Sequence, residues 1–325
     1  MKISVIIPYY NPDTDVQTEK LLLRAVTSVS DNLEGVCSYE IIVVNDGSPS
    51  DPDLSSISSG LRYIRRDHGM LGATRNTGIE NASGDVISFL DADDYYYPGS
   101  LAPCIKTMKE TGADLLGFGF RKTGNSLGID SVRLSTPHFT AVSTGERYMQ
   151  SHNLFGSACQ YLISADLISK NALRFKENVY IEDEEFTPRL LFFSRKFIYT
   201  DYPVYAYYVH PGSIITTASP QMTELKSKHM VLAIKSLMIF RDEHQDSPHA
   251  GLDRKINTLA IDHLRRTLRR KDWRDSLPQQ IQSLEQIGLY PLKTGNLPLK
   301  FRLFALLSGA RPGQVILHIV ELLYK

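Results

Sequence analysis

Three carboxylates end the apolar run Val86-Ile-Ser-Phe-Leu-Asp-Ala-Asp-Asp. Asp91, Asp93 and Asp94 thus stand at the tip of a segment that otherwise belongs in a core. Carboxylates two apart on an extended segment project to one side. Asp91 and Asp93, flanking Ala92, can therefore converge on a divalent cation. Mg²⁺ or Mn²⁺ prefers oxygen ligands and accepts substrate phosphates as co-ligands, so the chemistry suggested is the holding and release of a diphosphate. A solvated acidic loop is the plainer reading of an isolated Asp-x-Asp; its place at a strand end weighs toward the metal.

Two more segments bring polar residues to the ends of apolar runs. Ser4-Val-Ile-Ile-Pro-Tyr-Tyr-Asn ends in Pro8, Tyr10 and Asn11, and Glu40-Ile-Ile-Val-Val-Asn-Asp-Gly-Ser ends in Asp46. Asp46 can accept a hydrogen bond from a base or a ribose, or can simply make an Asx turn. Between them and the acidic tip lies Asp67-His-Gly-Met-Leu-Gly-Ala-Thr-Arg-Asn-Thr-Gly. Gly69 and Gly72 allow close backbone approach before a helix N-terminus, which favours phosphate. Arg75, in the first turn of that helix, can pair with a phosphate or with Asp91.

The elements that must hold these residues alternate. Strands are predicted at Ile3–Pro8, Glu40–Val44, Leu61–Arg65 and Val86–Leu90, and helices over 16–32 and 72–81. Unalternating Val/Ile runs joined by helices imply a mostly parallel Rossmann-like sheet covered on both faces. Ligands of such sheets bind beyond the carboxyl ends of the strands. The first turn holds Tyr-Tyr-Asn-Pro where a dinucleotide fold needs Gly-x-Gly-x-x-Gly, which argues against a nicotinamide enzyme. A helix to about 111 and a strand over 113–120 follow, and 121–146 reads as loop or hairpin. A soft boundary near Ser219-Pro220 separates a domain over 1–219 from a helical region over 220–325.

Lys and Arg together number 36, as do Asp and Glu, so the formal net charge is zero and nucleic acid is not an expected partner. Cys37, Cys104 and Cys159 show no metal spacing and read as reduced thiols. With no signal peptide and no membrane span in the pattern, the expected location is cytoplasmic, with any membrane contact peripheral at the inner face.

Taken in order, the four motifs around Pro8, Asp46, Arg75 and Asp91 resemble a family 2 glycosyltransferase of the GT-A fold, of bacterial cell-surface polysaccharide type. The resemblance covers about the first two thirds of the chain. It implies a nucleotide-sugar donor, usually a UDP-sugar, and an inverting displacement at the anomeric carbon. It implies that Pro8, Tyr10 and Asp46 hold the nucleoside; Asn11 and Gly69 are further candidates for the donor site. Asp91, Ala92 and Asp93 would form the Asp-x-Asp site, with Asp93 nearest the metal and Arg75 ordering it.

An inverting transfer also needs a base for the acceptor hydroxyl. Asn178-Val-Tyr-Ile-Glu-Asp-Glu-Glu lies where the family often carries a Glu-Asp pair opening a helix; Asp183 is the expected base and Glu182 the alternative. An acidic first helical turn is the plainer reading. His210, in Tyr205-Ala-Tyr-Tyr-Val-His-Pro-Gly-Ser, resembles a basic position that contacts phosphate or completes the metal shell, and Ser213 could donate to phosphate. Where relatives often carry a Trp-Asn-Lys-like run, this chain has Ser157-Ala-Cys-Gln-Tyr, which leaves the acceptor, a glycan or lipid-linked glycan, open; Gln160 and Tyr161 are candidates to touch it.

In the helical region, the basic cluster Arg265 to Lys271 and two amphipathic segments, Lys300–Leu307 and Val315–Tyr324, suit an anionic membrane surface, packing within the protein, or a homodimer. Two rival functions remain. A nucleotidyltransferase would need a glycine-rich, lysine-bearing loop after the first strand. A non-catalytic sugar- or nucleotide-binding protein on the same fold would be marked by loss of Asp-x-Asp or of the late carboxylate.

Overall fold

The computed structural model describes residues 1–325 apart from 56, 58–59, 125–127, 130–134, 154, 211–218, 294–296 and 324–325. Two compact units emerge: Met1–Gly145 with Gly156–Ala218, and Glu146–Phe155 with Ser219–Lys325.

The first unit is built on β1 (Lys2–Tyr9), β2 (Ser38–Asp46), β3 (Leu61–Arg66), β4 (Val86–Phe89), β5 (Tyr95–Tyr96), β6 (Leu115–Gly124), β7 (Tyr161–Ser164) and β8 (Phe197–Val209). Their order in one sheet is β3-β2-β1-β4-β7-β6-β8-β5. Strands β3, β2, β1 and β4 are parallel, and the apolar runs of β1, β2 and β4 are those of strands covered on both faces. Beyond β4 the sheet is mixed: β7 runs antiparallel to β4 and β6, β6 and β8 are parallel, and β5 is antiparallel to β8. Ile3, Val5, Ile6 and Ile7 of β1 are fully buried, as are Ile41 to Val44 of β2. Each such side chain contributes roughly 1.5–3 kcal/mol by leaving water.

Helices α1 (Val16–Leu33), α2 (Met70–Asn81), α3 (Leu101–Thr111), α5 (Ala165–Lys170) and α6 (Glu182–Phe193) accompany the sheet, and the short α4 (Gly145–Met149) leads out of it. Asp15 caps α1 by accepting from the Thr18 N–H at 2.8 Å. The chain leaves β2 through Gly47, whose φ of +78° is the left-handed turn that Asp-Gly-Ser suggests. Strand β6 reaches Gly124, four residues beyond its predicted end, because it pairs with the long β8 as far as Val209.

The second unit contains α7 (Pro220–Glu243), α8 (Ala250–Leu268), α9 (Trp273–Gln286), α10 (Leu299–Ser308) and α11 (Arg311–Leu323). Glu146 belongs to this unit and accepts from the Leu252 N–H at 3.1 Å, capping the start of α8. Part of the basic cluster at the end of α8 is paired internally, while Arg266 and Lys271 are exposed. Arg265 and Arg269 both hold the buried Glu321 of α11, and Arg270 pairs with Asp272 and Glu224. Cys37, Cys104 and Cys159 are free thiols. Among the described residues no helix is long and apolar enough to cross a membrane.

Candidate active site

From β1 the sequence order runs outward to β2 and β3 on one side and resumes with β4 on the other. Such a reversal opens a crevice at the carboxyl ends of the central strands. Tyr10 and Asn11 leave β1 there, Asp46 ends β2, and Asp91 follows β4.

Asp46 is buried. Its carboxylate receives the Arg66 guanidinium, His68 Nδ1 at 2.9 Å and the Gly69 N–H at 3.0 Å. The His68 ring stacks on Tyr10, with centroids 4.6 Å apart, and both rings are exposed at about half their surface. A flat, accessible aromatic pair beside a buried acceptor suits a planar heterocycle. Arg66 and His68 were not among the sequence candidates. They reach Asp46 because the β2–β3 register sets Asp46 opposite Arg66, a pairing no local pattern announces.

Other candidates are held by internal partners. The Asn11 amide bonds the Tyr9 hydroxyl and both backbone groups of Asp15, shaping the loop that starts α1. Pro8 is buried within β1. A Cβ on Gly69 would lie 2.5 Å from Arg66 Nη1, and one on Gly72 would lie 2.4 Å from the Lys176 carbonyl oxygen. The backbone approach at Gly72 leaves no room for a side chain, whereas at Gly69 the neighbour is the end of the Arg66 side chain. Tyr161 is buried; Gln160 Nε2 donates to the Phe118 carbonyl at 3.4 Å.

The acidic tip is a turn, not the extended segment expected. The Asp94 N–H bonds the Asp91 carbonyl at 3.0 Å, because the chain must reverse to form β5. The carboxylates therefore take separate partners. Asp91 Oδ1 accepts from Arg75 Nη2 at 2.9 Å, and Asp93 Oδ2 lies 3.1 Å from His210 Nε2. Asp94 turns inward, accepting from the Tyr205 hydroxyl and, at 2.7 Å, from the Tyr208 N–H. Burial, with Asp93 and Asp91 nearby, pushes Asp94 well above the usual carboxylate range. Arg24 reaches across from α1, stacked on Tyr95 and Tyr208, and donates to the Asp93 carbonyl. Ala92 lies between the two partly exposed carboxylates at the turn. His210 stacks on Tyr208, centroids 5.0 Å apart. Ser213 lies outside the described residues.

Arg75 is the centre of the cluster. Its side chain is fully buried between Phe89 and Phe175. Nη1 donates to Glu182 Oε1 and Asp183 Oδ1, each at 2.7 Å, and Nη2 to Asp91. Three carboxylates thus share one guanidinium. Burial, then the charges of Glu182 and Asp91, raise Asp183 to about 8 against the pull of Arg75. Glu182 is also raised, by burial first. Asp183 keeps 19% of its side-chain surface and Glu182 only 8%, so Asp183 is the more accessible of the two. Both open α6, and the residue before them, Ile181, sits at φ +70°. A β-branched residue in that region costs about 1–3 kcal/mol, a cost the surrounding structure must offset.

Among the described residues no group of three His, Cys, Asp or Glu side chains could hold a metal ion. Asp93, about one-third exposed, lies 3.1 Å from His210 Nε2, a pair rather than a group of three, and any cation there would take most of its shell from substrate phosphates and water.

The family described as "Glycosyl transferase family 2" matches residues 4–177. The chain belongs to this family. EpsH of Bacillus subtilis, whose name marks it as an inferred glycosyltransferase, is 28% identical over 68% of this chain and 65% of its own. The poly(ribitol-phosphate) beta-glucosyltransferase of Bacillus spizizenii is 26% identical over 76% of this chain and 40% of its own. The chain thus spans less than two thirds of either relative. The fold is that of residues 1–349 of TarS from S. aureus, crystallised with UDP-GlcNAc: TM-score 0.70, 20% identity, covering 100% of this chain and 91% of that one.

Proposed function

We propose that this protein is an inverting glycosyltransferase that moves a sugar from a UDP-sugar to a hydroxyl of a glycan or lipid-linked glycan in cell-envelope polysaccharide synthesis. The observation that carries the reading is the Arg75 cluster, which holds Asp183 to the same guanidinium as Asp91 of the acidic turn. The TarS domain, of the same fold, was crystallised with UDP-GlcNAc, which supports the UDP-sugar assignment.

In this mechanism Tyr10 and His68 flank the base, and Asp46, held by Arg66 and Gly69, orients the nucleoside. The acceptor oxygen attacks the anomeric carbon from the face opposite the diphosphate, Asp183 takes its proton, and the bond to the diphosphate breaks. Arg75 keeps Asp183 and Asp91 in fixed orientation and stabilises the carboxylates as their protonation changes. Mg²⁺ or Mn²⁺ at Asp93, with Asp91 and His210, would neutralise charge on the departing diphosphate.

The test is turnover. A panel of UDP- and GDP-sugars is incubated with glycan acceptors, nucleotide release is measured, and the anomeric configuration of the product is read by NMR. Release of UDP with an inverted anomeric centre supports the proposal. A retained configuration would remove Asp183 from its role. Tight UDP-sugar binding with no turnover by any acceptor would favour a non-catalytic binding protein.

A further inference from the structure

Helices α10 and α11 bury one face and leave the other apolar. On α10, Phe301, Phe304 and Ser308 are buried, while Leu299, Leu303 and Leu306 are exposed at 78%, 52% and 76%. At 100° per residue these leucines form a single stripe. Lys300 falls on one side of that stripe and Arg302 on the other, both exposed. On α11, Gly313, Leu317 and Glu321 face inward. Its outward face consists of Val315, Ile316, Ile319, Val320, Leu322 and Leu323, all exposed. The one acidic residue of the two helices, Glu321, is buried and held by Arg265 and Arg269. Among the described residues, every exposed charge on α10 and α11 is basic: Lys300, Arg302 and Arg311.

We propose that this face binds an anionic lipid surface, with α10 and α11 lying in the headgroup layer. Leucines and branched side chains enter the acyl boundary while Lys300, Arg302 and Arg311 reach back to lipid phosphates. Charge decides between the occupants. A second copy docked on the same face would set like charges against each other, whereas a bilayer presents phosphates on both sides of the leucine stripe. The contact would hold the enzyme at the surface where a lipid-linked acceptor resides, a consequence that rests on the proposed function; the binding itself does not.

The experiment is flotation of the full chain with vesicles of phosphatidylcholine alone and of phosphatidylcholine mixed with phosphatidylglycerol, at low and high salt. Binding to the mixed vesicles is expected, weakened by salt and by removing the anionic lipid. Lys300→Glu with Arg302→Glu is expected to weaken it on the order of tenfold or more. Leu306→Glu with Ile319→Glu is expected to abolish it, with the thermal midpoint and UDP binding unchanged, which separates this surface from the donor site. Failure to float with anionic vesicles would overturn the proposal, as would flotation untouched by either double variant. A dimer in light scattering that these same substitutions dissociate would assign the face to a second copy instead.

Discussion

Replacing Arg75 by methionine is the most informative perturbation of the cluster. The guanidinium is fully buried and makes three charge-assisted bonds, at 2.7, 2.7 and 2.9 Å. Each such bond contributes roughly 1.5–3 kcal/mol, for an upper bound of about 5–9 kcal/mol. Asp91 is one-third exposed, so water recovers part of its share, and the orphaned carboxylates can take up protons. The expected loss at pH 8 is therefore about 3–5 kcal/mol, as for removal of one partner from a buried ion pair.

The sign of the pH dependence follows. Without Arg75 the folded-state pKa values of Glu182 and Asp183 rise further above their unfolded values near 4. The folded variant then binds more protons than the unfolded chain, so its stability recovers as pH falls. Urea denaturation at pH 8 and pH 5 should show the penalty, relative to the unmodified protein, smaller at pH 5. Arg75→Lys should recover part of the loss, since one ammonium cannot span three carboxylates. Unchanged stability at pH 8 would refute the charge-assisted pairing of Arg75 described here.

Three further outcomes are expected. Asp183→Asn should reduce transfer by about 10²–10⁴-fold with donor binding retained in calorimetry; normal turnover would move the base elsewhere. In the unmodified protein kcat/KM should rise with pH toward a plateau above about 8, because Asp183 accepts a proton only when ionised; a flat profile across that range counts against it. His263 is buried against Gln280 Oε1 at 2.9 Å and lowered to about 4, chiefly by burial. Stability should thus be full above pH 6.5 and fall by up to about 3 kcal/mol as pH drops toward 4, a slope that His263→Asn should remove in denaturation curves.

The strand ends were legible because a buried strand seldom stops at an acid unless something is there to meet the charge: Asp46 and Asp91 lie where the pattern puts them. Glu182 and Asp183 were legible as an acidic helix start, and their link to Arg75 joins residues more than a hundred apart. What local pattern could not show was how side chains divide their partners. Asn11 ends an apolar run, and its amide braces the loop before α1. Asp94 reads as a third exposed acid, and Tyr205 takes it inward. Arg265 and Arg269 read as a basic surface until Glu321, from a helix some fifty residues on, occupies them. Periodicity reports faces, and long-range pairing decides which polar groups remain for a ligand.

Calorimetric titration of UDP and GDP, with and without Mn²⁺, tests the central claim most directly. The account predicts Mn²⁺-dependent binding of UDP over GDP, lost in Asp93→Ala while the fold is kept. Failure of folded protein to bind either nucleotide, or binding indifferent to both Mn²⁺ and Asp93, would contradict it.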